Sequence, residues 1–398
     1  MENRFEKHKF IVIPVFLVVS YFIIEIILSS LQFLKYTDSI KPYYVTPILR
    51  PLVRMFVAED FYPRTLSMYE WPWDYKTDRA RPGRYNSPED PKFPAYTINS
   101  FGLRGKEFSI PKPAGVYRVV VYGGSSTFGS ESPDDKTYPA QLEEILQKRT
   151  GKKNIEVINY GAHSKSLYWI AQQYFKDGNR LQPDLVIINN IRNTFNDQIQ
   201  KWTVYTDVVT PQKARLLKAN LYLTDNSLLY RFLRRSLEIA TMKINIQPLM
   251  KTKEDKDLAF AGMMKRVLPG FYDRTYPDMI ESIYLDAKNH GSRFMLIVEP
   301  IRCVSGVDGS SGPTCMFGDF TDEVPAYYDA FRGAIKKLVA KHPDICLLDP
   351  VNLMKEMADK QGPHQNIFHD QLHLDPPGNT VLADLIASKI ISENILPK

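Results

Sequence analysis

The stretch Arg118-Val-Val-Val-Tyr-Gly-Gly-Ser-Ser-Thr-Phe-Gly129 decides how the chain folds. Arg118 to Tyr122 is a β-branched run that predicts a buried strand. Gly123 and Gly124 end it, because two residues without Cβ let the backbone turn sharply and pass close to other groups. Ser125 and Ser126 follow at once. From Thr137 to Arg149 apolar residues recur at helical spacing (Tyr138, Leu142, Ile145, Leu146), so a helix begins soon after the turn. Strand, glycine turn, serine and helix place a hydroxyl at the carboxyl edge of a parallel sheet, where open α/β sheets bind ligands. An ordinary tight turn with a capping serine carries the same residues.

Outward from this stretch the pattern repeats. Ile155 to Tyr160 reads as a second strand, ended by Gly161, and Leu167 to Phe175 as a helix. Pro183 to Ile188 is a third strand, running into Asn189, Asn190 and Asn193. Arg293 to Val298 is a fourth, closed by Pro300, and Ile345 to Leu348 a fifth, closed by Asp349-Pro350. Met279 to Asn289, Ala326 to Lys341 and Thr380 to Ile391 carry helical patterns. Strands alternating with helices imply a parallel sheet covered on both faces. Residues 200–275 read as a helical insertion between the third and fourth strands, a natural lid or substrate platform or a purely structural pack.

The chain of 398 residues is long enough for ample core, and its net charge of +6 is mild and spread out. No aromatic and basic platform for nucleic acid stands out. The basic stretch Arg231 to Arg235 sits on a helical pattern and reads as a solvated face, with an anionic lipid surface as the rarer alternative. Phe10 to Leu34 is almost entirely apolar and long enough to cross a bilayer as a helix. Glu25 interrupts it and is costly unless near an interface or paired. Arg4, Lys7 and Lys9 before the run favour a cytoplasmic N-terminus, and no Ala-x-Ala site follows. Residues 1–35 are therefore expected to be an uncleaved single-pass membrane anchor, with the main domain on the extracytoplasmic side. Residues 36–117 read as an irregular lead-in rich in proline. Within it, Tyr96 to Gly105 is an edge strand or a loop beside the active face. Cys303 and Cys315 bracket a loop rich in Gly and Ser, and a disulfide there would suit an exported domain. Cys346 reads as a buried small hydrophobe.

The second informative stretch is Phe368-His-Asp-Gln-Leu-His373, followed by Leu-Asp-Pro-Pro-Gly378. Pro376 and Pro377 mark a helix start. At a spacing of three, Asp370 can reach back to the His373 Nδ1–H, fix the tautomer and steady the charge formed when Nε2 takes a proton. His364 and His369 lie close by, but the segment reads as a loop without typical metal-ligand spacing. No metal and no cofactor is expected.

Together these blocks resemble the SGNH/GDSL hydrolase family, across most of residues 95–395. Gly123-Gly124-Ser125 resembles the family's Gly-Asp-Ser turn, with Gly124 where Asp is usual. Gly161 matches the glycine of the second block. The third block falls on Ile191-Arg192-Asn193-Thr194, where the usual glycine and final Asp are missing, and Asn196 is the alternative asparagine. Asp370 and His373 match the Asp-x-x-His of the last block.

The resemblance implies a flavodoxin-like three-layer α/β/α sandwich over residues 118–398. It implies Ser125 as nucleophile, His373 as base and Asp370 as its orienting acid, with Ser126 the alternative nucleophile register. It also implies an oxyanion hole from the Ser125 and Gly161 N–H groups and the Asn193 amide. The expected activity is that of a membrane-anchored serine esterase acting on an O-acyl ester of a carbohydrate or lipid. An envelope O-acyltransferase with the same triad is one alternative, and a catalytically silent scaffold or glycan-binding domain is the other.

Overall fold

The computed structural model describes residues 82–85, 94–163, 165–189, 276–302, 324–354, 367–370 and 372–397, with short pieces at 19–21, 23, 73–74, 79–80, 223, 227, 229–230, 233 and 356. Two short antiparallel pairs come first, β1 (Trp73–Asp74) with β2 (Arg79–Ala80) and β3 (Gly83–Tyr85) with β4 (Tyr96–Ile98). The sheet that organises the chain is built from β5 (Tyr117–Gly123), β6 (Ile155–Gly161), β7 (Leu185–Asn189), β8 (Arg293–Ile297) and β9 (Cys346–Leu348). Every pairing is parallel, and the spatial order is β6-β5-β7-β8-β9. Counted along the chain this is the order 2-1-3-4-5, the flavodoxin-like arrangement, whose ligand crevice lies between the first and third strands.

The strands were legible because each alternates between two cores, as a pleated strand must when both faces are covered. Val119, Val121, Leu185, Ile187, Met295 and Ile297 point to one core. There they meet α2 (Tyr138–Thr150) and α6 (Pro376–Ser392) through residues such as Leu142, Leu146, Leu382 and Ile386. Val120, Tyr122, Val186, Ile188, Phe294 and Leu296 point to the other. Ile170 from α3 (Leu167–Gln173), Ile283 from α4 (Tyr276–Asn289) and Phe331 from α5 (Val324–Lys341) fill that side. The helices start and stop where backbone chemistry requires. Pro376 and Pro377 occupy the first turn of α6, where a missing N–H leaves no bond unmade, and Gly151 takes φ 71° just past the end of α2.

Most expected boundaries differ from these by a few residues. The expected helix at 167–175 ends earlier as α-helix, and a wider π turn over Tyr174–Gly178 continues it. Cys346 is half-buried on β9 rather than fully buried, and burial pushes its thiol up to about 11. The expected disulfide, residues 303 and 315, lies outside the described residues. So does most of the 200–275 insertion, and so does the apolar 10–34 run except for helical residues 19–21 and 23. Among the described residues no helix is long and apolar enough to cross a membrane.

One contact ties the turn after β5 to the end of β6. An added Cβ on Gly161 would lie 2.3 Å from Phe128 N and 2.7 Å from Thr127 C, both backbone atoms that cannot yield cheaply. Gly333 of α5 has nothing within 4 Å of such a Cβ. Gly161→Ala should therefore lose more than about 2 kcal/mol in thermal unfolding. Gly333→Ala should be neutral or gain up to about 1 kcal/mol from helix propensity. Equal melting temperatures for the two variants would contradict this packing.

Candidate active site

The turn after β5 opens into a one-turn helix, α1 (Ser125–Phe128), closed by Gly129 at φ 75°. Ser125 stands at its first position, so its backbone N–H has no intrahelical acceptor and is free to serve a ligand. A Cβ on Gly123 would meet Thr127 Oγ1 at 1.8 Å and Asn189 O at 2.7 Å, so only glycine lets α1 fold this tightly onto the ends of β5 and β7.

Residues 367–375 make the opposing loop. His369 N–H donates to His373 O at 2.8 Å and Asp375 N–H to Ile367 O at 3.1 Å, closing a tight double-backed turn. Asp370 Oδ1 accepts the backbone N–H groups of Leu372 (2.7 Å) and His373 (2.8 Å). That leaves Asp370 Oδ2 to accept from His373 Nδ1 at 2.7 Å. With its proton held there, the ring presents Nε2 as acceptor to Ser125 Oγ–H at 2.8 Å. The structure thus brings together Ser125, His373 and Asp370, the Asp370–His373 pair as the spacing predicts and Ser125 at Nε2 as the resemblance implies. Ser125 is 7% exposed, shielded but reachable.

The environment sets the charges. Burial alone would raise Asp370, but the His373 hydrogen bond, the His373 charge and the two backbone N–H groups hold its carboxyl far below the usual range. Burial pulls the His373 imidazole down, but the Asp370 hydrogen bond and the Glu131, Asp370 and Glu299 charges raise it above its ordinary value. His163, in the loop after β6, shares a 2.6 Å hydrogen bond with Ser130 Oγ and packs against Phe128. Burial, with His373 and Arg104 near it, holds its imidazole well below the ordinary value, so it stays neutral.

The other expected site residues separate from the triad in instructive ways. Ser126 Oγ donates to Glu299 Oε1, a buried pair that turns this hydroxyl away from His373 and leaves Ser125 as the hydroxyl at the base. The Gly161 N–H donates to Asn159 Oδ1 at 2.9 Å, so it is not free in this arrangement and would have to leave that bond to meet an oxyanion. Asn193 and its alternative Asn196 lie outside the described residues. His369 pairs with Asp375, 3.2 Å from Nδ1, rather than with the triad, and His364 lies outside the described residues. Among the described residues no cluster of His, Cys, Asp and Glu has the makings of a metal site.

Two supports went unread in the sequence. Arg104 is buried and donates to the carbonyls of Phe128 (2.9 Å), Gly129 and Ser132 and to the Asp134 carboxylate (3.2 Å), gripping the far side of the nucleophile turn. Asn379, fully buried at the start of α6, donates to Ser132 Oγ (2.9 Å) and Leu374 O (3.0 Å) and accepts from Tyr138 N–H (3.2 Å). It joins the loop after α1, the first residue of α2 and the histidine loop. A lone Arg in a proline-rich lead-in and a lone Asn after Pro-Pro-Gly carry no periodic signal.

Comparison with known proteins follows from this geometry. No family model matches the chain, and no curated protein matches it. Among solved structures it is similar to an α/β hydrolase from the metagenome of Lake Arreo, at 14% identity and TM-score 0.39, over 71% of this chain and 97% of that one. It is also similar to a catalytic mutant of an acetylxylan esterase from Geobacillus stearothermophilus, at 14% identity and TM-score 0.38, over 69% of this chain and 94% of that one. A protein described as lipolytic and of the G-D-S-L family, from Desulfitobacterium hafniense, is similar at 14% identity and TM-score 0.36, over 68% and 98% of the two chains. Likeness this distant leaves the chemistry to be read from the site itself.

Two outcomes follow from the site. Asn379→Ala removes one side chain and strands several buried partners, so it should cost about 2–4 kcal/mol in unfolding and slow any reaction of Ser125. Reaction of Ser125 with a fluorophosphonate needs neutral His373. Because the folded imidazole is raised, the rate should increase with pH through a midpoint above the ordinary value of about 6.5. A midpoint at or below that value would contradict the electrostatics described.

Proposed function

We propose that the chain is a serine hydrolase of SGNH type, an esterase that works through an acyl-serine intermediate. The observation that carries this is the continuous relay from Ser125 Oγ to His373 Nε2 (2.8 Å) and from His373 Nδ1 to Asp370 Oδ2 (2.7 Å). A serine hydroxyl is a weak nucleophile at its own pKa and needs an adjacent, oriented base. Here Ser125 Oγ attacks the acyl carbon while its proton passes to His373 Nε2. The imidazolium then gives that proton to the departing alkoxide oxygen. Water then attacks the acyl-serine while losing a proton to His373, and the imidazolium returns that proton to the departing Ser125 Oγ as the acid is released.

Asp370 stays ionised throughout, because two backbone N–H groups and the imidazole all donate to its charged form. The developing oxyanion is served by the Ser125 N–H at the open end of α1. The resemblance would add Gly161 and Asn193, and Gly161 can join only after breaking its bond to Asn159.

The substrate in this reading is an O-acyl ester on a carbohydrate or lipid, and the long apolar run at 10–34 supports tethering of the domain to a membrane, on its extracytoplasmic side. Transfer of the acyl group to a sugar hydroxyl instead of water is the alternative fate of the same intermediate. The engaged Gly161 N–H favours a third reading, a silent scaffold whose oxyanion hole does not form.

The purified full chain in detergent should label stoichiometrically with a fluorophosphonate ester, and Ser125→Ala should not label while Ser126→Ala still does. No labelling of the well-folded chain would move the reading to the silent scaffold. Labelling that survives Ser125→Ala and disappears in Ser126→Ala would move the nucleophile by one residue.

A further inference from the structure

Glu131 lies between the end of α1 and α2, and its neighbours are clamped. The Ser132 N–H donates to Gly129 O at 3.1 Å, Ser132 O accepts from Arg104, and Ser132 Oγ accepts from Asn379. The Glu131 side chain is 7% exposed, and its Oε1 stands 3.6 Å from His373 Nδ1, the same nitrogen that Asp370 holds. Its Oε2 is buried and has no hydrogen-bond partner among the described residues.

Burying a carboxylate with one oxygen left without a hydrogen bond is costly in the ionised form, and here the His373 charge and the Glu131 backbone N–H oppose that cost. The charged groups facing Glu131 are His373, Asp370, His369 and Arg104. Arg104 spends its guanidinium on Phe128 O, Gly129 O, Ser132 O and Asp134, and His369 pairs with Asp375. The His373 ring remains, and it is a cation whenever it carries a second proton, taken from solvent below its raised midpoint or from Ser125 during attack. His373 is faced in turn by Asp370, Glu131, Glu299 and His163. Glu299 is bonded to Ser126, and His163 is neutral.

We propose that Glu131 is a second carboxylate behind the base, a positioning residue that shares with Asp370 the positive charge formed on His373 as Ser125 loses its proton. The proposal rests on the reading of Ser125, His373 and Asp370 as a catalytic triad. No proton need move to Glu131 along the reaction. Its role is to make the imidazolium less costly at the moment of attack, adding its charge to that of Asp370, whose hydrogen bond to Nδ1 already favours the protonated ring. Burial pushes the Glu131 carboxyl up, and the His373 charge opposes this, so the two groups titrate as a coupled pair.

The test follows the His373 ring by NMR in the full chain, labelled with carbon-13 in histidine, for the native protein, Glu131→Gln and Glu131→Asp. Fluorophosphonate labelling rates are measured over the same pH range. In Glu131→Gln the His373 midpoint should fall by about one pH unit, and the labelling midpoint should fall with it. The plateau labelling rate should drop by about tenfold. Glu131→Asp should recover part of both. A slower plateau with an unmoved midpoint would mean a structural role only and would overturn the proposal.

If neither variant folds, the native chain still decides. A second inflection in the His373 shift on the acid side, from Glu131, supports the pair, and a single inflection overturns it. Native chain that folds but does not label would instead overturn the triad reading, while the ring titration would still report on Glu131.

Discussion

The hydrogen bond from Ser125 Oγ to His373 Nε2 joins residues 248 apart in the sequence, and the rest of the structure exists to keep it short. Such a bond contributes on the order of 1 kcal/mol net. Ordering the two loops that carry it costs more than that, at roughly 1–2 kcal/mol for each fixed residue. The bond is therefore a consequence of scaffolding. Three constraints supply that scaffolding. The parallel register of β5 with β6 and β7 fixes where the nucleophile turn leaves the sheet. Arg104 holds that turn by its carbonyls. Asn379 ties the turn's far end to the loop that delivers the histidine.

This division explains what could be read from the sequence. The sheet was legible because each strand is a short apolar run between helical patterns, and burial on both faces demands that run. Ser125, Asp370 and His373 were legible because each end is local, with the Gly-Gly-Ser turn in one place and the Asp370–His373 spacing in the other, and the resemblance joined the two ends. The supports were illegible for the complementary reason. Arg104 reaches Phe128 and Ser132, and Asn379 reaches Ser132 and Tyr138, so each works across distances that leave no period. Gly161 was read as the end of the second strand and, through the resemblance, as an oxyanion donor by its N–H. In the structure the Cβ is the demand, because Phe128 N occupies that space, and the N–H is already spoken for by Asn159.

The carboxylates around the base divide the electrostatic work by how well each is satisfied. Asp370 accepts two backbone N–H groups besides the imidazole, which keeps it ionised and rigid. Glu299 accepts from Ser126 and belongs to the wall of the site. Among the described residues the Glu131 carboxylate keeps a buried oxygen, Oε2, without a hydrogen bond, while its Oε1 stands 3.6 Å from His373 Nδ1.

The same reasoning separates the two adjacent serines. Successive residues of a helix point about 100° apart, so in α1 only one of Ser125 and Ser126 can face the histidine loop. Ser126 turns instead toward the end of β8, where Glu299 accepts its hydroxyl. The pair acts as a rotational stop. Ser126 is bonded to Glu299 on one side and Arg104 grips the carbonyls at the other end of the turn, both opposing a roll of α1 that would carry Ser125 Oγ from its 2.8 Å position at Nε2. The second serine of the Ser-Ser pair thus helps to hold the first against the histidine loop.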